Sequence, residues 1–582
     1  MTAIGVVALG FIVLVAIASA VIGALGVRVA RSTSDFLVAS RTVGPAANAG
    51  AISGEYLSAA SFLGVAGLIL RDGADALWYP VGFTAGYLAL VLFVAAPLRR
   101  SGAYTVPDFA EARLRSPVLR RLCTAVVIVV GWLYLLPQFQ GAGLTVATVT
   151  TLPSWVGVAA AGVVVVATVV LGGMRSITFV QAFQYWLKLT ALAIPAVLLL
   201  IFFLNDDLGF GKPAPPQFPD RTTVDIRTDV VLQVSLPVTL EAEGRVDGER
   251  VDGTLRWEVG EHTVEEGSRL VFAGGAPVPV VAGAPATDDA WLSPLPPTRE
   301  HGLLATYSLI IATFLGTMGL PHVLVRFYTN PDGRTARRSA VLVIGLIGAF
   351  YVVATLLGAL SRLYTPQLLV SGETDAAVLL LPSAVLGSGW AGAVLGGLVA
   401  AGAWAAFLST SSGLLVSVAG VLSTDVLRGR VRDFRWGAIA AAAVPLALAL
   451  GVTRLDFSQT VSLVFAVAAS TFCPLLVLGI WWRGLTDAGA IAGVAVGGLL
   501  SAGAVVASLA GVGGPGWVGV LLYRPAAVSV PAAFLGMYGV SRLTAKRRPA
   551  DADGVLLRLH APERLGLSRD RLEERYPRRP RV

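Results

Sequence analysis

Glu55 stands in an otherwise apolar stretch, Asn48-Ala49-Gly50-Ala51-Ile52-Ser53-Gly54-Glu55-Tyr56-Leu57-Ser58-Ala59-Ala60-Ser61-Phe62-Leu63-Gly64. A carboxylate in such surroundings is costly unless paired or protonated. Three roles are open to it: tuning a nearby cation, carrying a proton, or capping a half-helix whose N-terminus attracts anions. A second polar group, Ala406, Ser409 and Thr410, falls at i, i+3 and i+4 on one helix face. Two hydroxyls and a carbonyl form an uncharged oxygen cluster suited to a hard monovalent cation. The same residues also suit close helix packing or hydrogen bonds within their own helix. A third stretch, Phe314-Leu315-Gly316-Thr317-Met318-Gly319-Leu320-Pro321-His322, combines glycines and a proline that weaken or remove helical hydrogen bonds. Backbone groups freed in this way cannot face lipid. Unwound carbonyls can hold a cation, and half-helix amides an anion.

These residues need a scaffold, and composition defines its class. The 582 residues are 55% hydrophobic and 14% charged, against about 25% charged in soluble domains. One soluble domain and a disordered chain are both excluded. Cys123 and Cys473 lie in apolar runs, and the four histidines have no metal-ligand spacing with them, so neither a disulfide framework nor a metal cluster is expected. HExxH, nucleophile-elbow and phosphate-loop patterns are absent, which argues against an enzyme. The stretch after Lys546 is too short for a kinase or cyclase domain, which argues against a sensor.

Crossing the hydrocarbon core takes about 20 apolar residues. Thirteen runs qualify: 3–27, 45–70, 77–98, 119–149, 153–173, 178–204, 303–324, 338–361, 390–422, 436–453, 457–482, 487–510 and 526–544. Val378–Leu386 is too short to cross and is expected at the interface or dipping in from outside. Residues 3–27 lack a basic leader and are expected to be a retained span. Arginines follow the odd-numbered runs: Arg28, Arg31 and Arg41 after the first, Arg99 and Arg100 after the third, Arg334 and Arg337 after the seventh, Arg428 and Arg430 after the ninth. The positive-inside rule then places the N-terminus outside and the C-terminus in the cytoplasm.

The expected domains are 1–204 with spans 1–6, an extracellular β-rich insertion at 205–302, 303–545 with spans 7–13, and a basic cytoplasmic tail at 546–582. The insertion carries 8 Lys/Arg against 17 Asp/Glu and alternating segments at Val230–Val238 and Thr254–Val259. It is either a lid over a substrate path or an insertion apart from the chemistry. The two interrupted spans, second and seventh, are five apart. A five-span unit is odd, so a second copy would start from the opposite face. Spans 2–6 and 7–11 would then form an inverted repeat with broken first helices, the architecture of a secondary transporter.

At Gly54–Gly64, Gln138-Phe139-Gln140-Gly141-Ala142-Gly143, Leu171-Gly172-Gly173-Met174 and Gly316–Thr329 the chain resembles the sodium:solute symporter family, and within it the cation/acetate, or monocarboxylate, symporters. The resemblance covers nearly the whole membrane part and omits 205–302. It implies an all-α polytopic membrane protein of thirteen helices with a five-plus-five inverted repeat. It implies a sodium site made by the carbonyls of Gly54, Leu57 and Ala406 and the hydroxyls of Ser409 and Thr410, with Ser58 as a possible extra; Ser423-Thr424-Asp425 anchors that register. The implied substrate is acetate, propionate or pyruvate, with Tyr56, Gln138, Thr317 and His322 as candidate donors to its carboxylate. No lysine or arginine is expected to be buried beside it, Lys188 and Arg326 being placed near the cytoplasmic ends of their spans. The coupling ion would be Na+, with H+ as the alternative, for which Glu55 is the candidate carrier. No nucleic-acid partner is implied.

Overall fold

Apolar runs interrupted by glycine and proline become long helices with corners, and the alternating segment becomes a sheet. The computed structural model describes residues 3–27, 37–206, 209–211, 213–295, 301–387, 389–427, 430–451, 457–512, 514, 516–567 and 570–571. Arg28, Arg31 and Arg428, used above for orientation, lie outside them. The membrane part consists of α1 (Ala3–Val27), α2 (Pro45–Tyr56), α3 (Val65–Asp72), α4 (Trp78–Phe93), α5 (Pro117–Val149), α6 (Ser154–Asn205), α7 (Gly302–Thr317), α8 (Pro321–Phe327), α9 (Gly333–Tyr364), α10 (Trp390–Val421), α11 (Val431–Gly451), α12 (Phe457–Trp481), α13 (Asp487–Leu509) and α14 (Ala526–Leu543). Large apolar side chains such as Val163, Leu171, Phe179 and Val197 on α6 are exposed, as a lipid-facing surface requires.

Eleven continuous runs among the described residues are long and apolar enough to cross a membrane, against the thirteen expected. The difference lies at two corners. α6 is 52 residues long, about 78 Å at 1.5 Å per residue, against a hydrocarbon core of about 30 Å. It turns at Gly173, at φ 60° and ψ −171°, a conformation open essentially to glycine alone. The other corner joins α3 to α4 through a 3-10 turn at Gly73–Leu77. Ala377–Leu386 is helical, but Val378, Leu379 and Leu381 are buried in the protein, so it is a packed element rather than one lying free at the interface.

Both expected helix breaks are present. α2 ends at Tyr56 and Leu57 leaves helical geometry at φ −76°, ψ 87°. One π-helical turn, Ala60–Gly64, then leads into α3. α7 stops at Thr317; the chain turns through Met318 and Gly319, and Leu320 is extended before Pro321 opens α8. Pro321 fits there because a first-turn residue needs no amide donor.

The insertion carries seven strands: β1 (Thr222–Asp225), β2 (Val230–Val234), β3 (Val238–Val246), β4 (Glu249–Trp257), β5 (Gly260–Val264), β6 (Arg269–Phe272) and β7 (Val280–Val281). They pair antiparallel in the order β1-β6-β3-β5-β2-β7, with β4 also on β3. The expected segments differ slightly, since Val230–Val238 spans all of β2 and the first residue of β3, and Thr254–Val259 covers the end of β4 and two residues beyond it. β3 buries Val238, Leu240 and Ala242 and exposes Thr239, Glu241 and Glu243, the period of a half-buried strand. The sheet core of Leu232, Leu240, Trp257 and Phe272 is continuous with Leu70 at the end of α3 and with Leu368–Val370. Trp291 Nε1 donates to the carbonyls of Ile69, at 2.8 Å, and Leu70, at 3.1 Å, so the insertion grips the second half of the first broken helix.

Candidate functional site

The break after Tyr56 frees carbonyls that a continuous helix would use, and the structure gives them partners. α2 lies against α6 and α10. Two glycines permit the approach: a Cβ on Gly54 would sit 2.3 Å from the Gln181 carbonyl oxygen, and one on Gly413 would sit 2.0 Å from the Glu55 carboxyl carbon.

At the centre is Lys188 of α6, fully buried. Its Nζ donates to Gly54 O at 2.5 Å, Leu57 O at 2.8 Å and Ser409 Oγ at 3.0 Å. The Ser409 hydroxyl passes its own proton to Gly54 O at 2.6 Å, with Ala406 O also within reach at 3.0 Å. Thr410 points elsewhere, to Glu55 O at 2.6 Å. Ser58 receives the Tyr134 hydroxyl at 3.4 Å. The oxygens grouped by resemblance as one cation site are therefore brought together in part: Gly54, Leu57 and Ser409 converge on one point, and that point holds the Lys188 Nζ.

Beside it lies a buried ion pair. Arg326 Nε donates to Glu55 Oε2 at 2.5 Å, Nη1 to Thr178 Oγ1 at 2.9 Å, and Nη2 to Gln181 Oε1. Gln181 Nε2 continues to Ser409 O at 2.7 Å, linking the pair to the lysine cradle. Arg326 and Lys188 are both at 0% exposure, which corrects the expectation that no lysine or arginine is buried here. Lys188 is about 23 Å along the helix from Gly173 and about 25 Å from Asn205 by helical rise, so it sits near the middle of that segment. Arg326 follows the second break, and the short half-helix carries it inward.

The four candidate substrate donors are all buried. Tyr56 OH meets Thr317 Oγ1 at 3.0 Å, joining the two breaks, and its ring packs edge-on to Tyr87 at 4.8 Å. Gln138 Oε1 accepts from Ala59 N at 2.9 Å, just past the first break. Its Nε2, both ring nitrogens of His322 and the Tyr87 hydroxyl have no partner among the described residues. The His322 ring lies edge-on to Tyr134 at 5.3 Å.

On the insertion side a cavity of about 470 Å³ opens between the sheet and the helices, lined by Arg71, Gln140, Leu144, Val158, Val230 and Glu373 among others. On the opposite face Arg120 holds Asp425 at 2.5 Å and Asp108 at 3.3 Å. Arg41 donates to Tyr328 O at 3.0 Å and Gly102 O at 2.8 Å and pairs with Asp570 at 2.7 Å.

Interrupted helices around a buried cationic cradle, with a vestibule on one side and an ionic seam on the other, define a helical multi-pass membrane transporter. The chain belongs to the sodium:solute symporter family, whose profile matches residues 36–209 and 292–497, and it is a secondary symporter. It is 29% identical over 537 residues to a monocarboxylic acid transporter of Corynebacterium glutamicum, covering 87% of this chain and 86% of that one. An uncharacterised symporter of Bacillus subtilis is 28% identical over 527 residues, covering 87% and 88%. Another, of Cupriavidus necator, is 30% identical over 622 residues, covering 89% and 88%. Among solved structures the fold is shared with a Na+-coupled sialic acid symporter in a substrate-bound outward-open state (TM-score 0.62, 12% identity, 92% of this chain and 97% of that one). It is shared also with a nucleobase-cation-symport-1 family transporter in a closed conformation (TM-score 0.52, 15% identity, 90% and 98%).

Proposed function

We propose that this chain imports a short-chain monocarboxylate, such as acetate, propionate or pyruvate, by cation symport through alternating access at the cell membrane. The observation that carries the substrate class is Gln138. Its oxygen is committed to Ala59 N, and its Nε2 is buried without an acceptor among the described residues. An unpaired buried donor is costly, and a small carboxylate arriving beside the break supplies what it lacks. His322 and Tyr87 add further unspent polar groups, and Tyr56 and Thr317 tie the second break to the same place. The C. glutamicum relative supports the same class.

Thirteen crossings follow from reading Gly173 and Gly73–Leu77 as corners between spans. Spans 2–6 and 7–11 then form the inverted repeat, each opening on a broken helix. The basic loops favour an N-terminus outside, the insertion at 205–302 outside as a vestibule wall, and the tail at 546–582 in the cytoplasm. Glu55, held by Arg326, sets the field of the site rather than shuttling. The family favours Na+ as the coupling ion, held among Gly54, Leu57, Ser58, Ala406, Ser409 and Thr410. The ammonium at three of those residues favours H+.

The test of the substrate class is competition in proteoliposomes: labelled pyruvate uptake against unlabelled acetate, propionate, proline and sialic acid. The short acids should compete and the other two should not, and Gln138→Leu should weaken that competition at least tenfold, the worth of about 1.4 kcal/mol. Competition by proline or sialic acid alone would overturn the proposal.

A further inference from the structure

The three oxygens that meet Lys188 leave no room for a second cation at the same point. Nζ lies 2.5 Å from Gly54 O, 2.8 Å from Leu57 O and 3.0 Å from Ser409 Oγ, so an ion bound by the same oxygens would overlap the nitrogen. An ammonium has three N–H donors, and all three are spent on neutral oxygens. The site is a cation site whose cation is covalently part of the protein. A symporter nevertheless needs a cation that enters on one side and leaves on the other. Of the charge at Nζ, only the proton can do so; lysine can give it up, whereas a guanidinium cannot.

We propose that Lys188 replaces the coupling sodium, and that one proton, carried on Nζ and shared with the Gly54–Leu57–Ser409 cradle, accompanies each monocarboxylate. The inference rests on the symport reading and names its ion. From outside, a proton from water adds to the amine lone pair, and the ammonium closes the cradle while the carboxylate binds. On the cytoplasmic side the carboxylate leaves and the proton passes from Nζ to water. The net transfer is one H+ with one carboxylate anion, so the cycle carries no net charge. A neutral amine keeps two N–H bonds and turns a lone pair toward one of the three oxygens. The carbonyls at the break then lose a donor, and this loss ties the proton to the geometry of α2.

The other charged and titratable groups around it are Glu55 and Tyr56 on α2, Tyr87 on α4, Tyr134 on α5, Tyr185 on α6, His322 and Arg326 on α8, and Tyr351 on α9; Tyr185 donates to Leu346 O, and the Tyr87 hydroxyl has no partner among the described residues. Neither α1 nor α10 contributes any. Glu55 is taken by Arg326, Tyr56 by Thr317, Tyr134 by Ser58 and Tyr351 by Ser61. His322 has no partner among the described residues; because it is also a candidate substrate donor, His322→Gln is judged by the ratio of gradient-driven to undriven uptake.

Two readouts test the proposal on the full chain. In detergent, melting temperature is followed as NaCl replaces choline chloride. The wild type should show no Na+-specific rise, and Lys188→Ala, with the cradle vacated, should gain one. A Na+-specific rise in the wild type would overturn the proposal. In proteoliposomes, pyruvate uptake by the wild type should be driven by an inward pH gradient over a protein-free blank, be indifferent to Na+ and to membrane potential, and lose its pH drive in Lys188→Met, while His322→Gln should keep the ratio of gradient-driven to undriven uptake whatever its absolute rate. Uptake driven by Na+, or indifferent to both gradients, would overturn it. Should Lys188→Ala fail to fold, the wild-type readings decide alone. Should no acid be carried while the detergent result holds, the ion assignment stands and the monocarboxylate reading falls.

Discussion

The Glu55–Arg326 pair allows the most quantitative prediction. Arg326→Met removes the donor to Glu55 Oε2, to Thr178 and to Gln181. Glu55 Oε1 already has no partner among the described residues, so the variant leaves a fully buried carboxylate without its ion-pair partner. Breaking one side of a buried pair costs about 3–5 kcal/mol. Two neutral acceptors losing a partner add about 1 kcal/mol each at most. Glu55→Gln should cost about 3–5 kcal/mol for the mirror reason, a stranded guanidinium. The double variant removes both charges and should cost about 1–3 kcal/mol less than the sum of the singles. Unfolding by sodium dodecyl sulfate in mixed micelles, followed by tryptophan fluorescence, measures all four proteins on one scale. Strictly additive singles, or an Arg326→Met cost below about 1 kcal/mol, would refute the pairing and with it the account of how a charged cluster survives at mid-membrane.

Other predictions concern the helix approaches and the insertion. Ser409→Ala removes one of the three acceptors of Lys188 and should shift the pH profile of uptake; Thr410→Ala, which only frees Glu55 O, should shift it less, and equal profiles for both would count against the cradle. Gly413→Ala places a methyl 2.0 Å from the Glu55 carboxyl carbon, and uptake should be lost even where the protein still reaches the membrane, as measured by surface labelling. Gly173→Ala forces a side chain into a glycine-only conformation and should cost about 1–3 kcal/mol in the same unfolding assay. Trp291→Ala deletes a buried ring and its bonds to Ile69 and Leu70 and should cost about 3–5 kcal/mol; deletion of 210–295 should lower uptake, and unchanged uptake would make the insertion a bystander to transport.

Much of this was legible before any coordinates. Glycine and proline inside apolar runs mark the two breaks because each weakens a hydrogen bond that lipid cannot replace, and the structure has both, at Leu57 and at Met318–Leu320. Alternation in Val230–Val238 and Thr254–Val259 announced the sheet, with bounds that differ from those of the strands. Span counting differs only at the corners, where the chain bends at Gly173 and through a 3-10 turn at Gly73–Leu77 with no long polar loop between the two runs. Lys188 was missed because it was placed by the nearest basic loop instead of by depth. It lies ten residues into the run 178–204, about 15 Å by helical rise, half the hydrocarbon core. With Gln181 and Gln184 it forms a polar face at i, i+3 and i+7, a signal present in the sequence. Its partners could not be read there, because Gly54 and Ser409 reach it only through packing of helices hundreds of residues apart.

Coupled, concentrative transport of a small acid is measured by the accumulation ratio of labelled pyruvate in proteoliposomes. With an inward cation gradient, internal pyruvate should rise above the external concentration beyond that in protein-free vesicles, and an ionophore that collapses the gradient should release it. Uptake that stops at equal concentrations, with or without the gradient, would contradict symport.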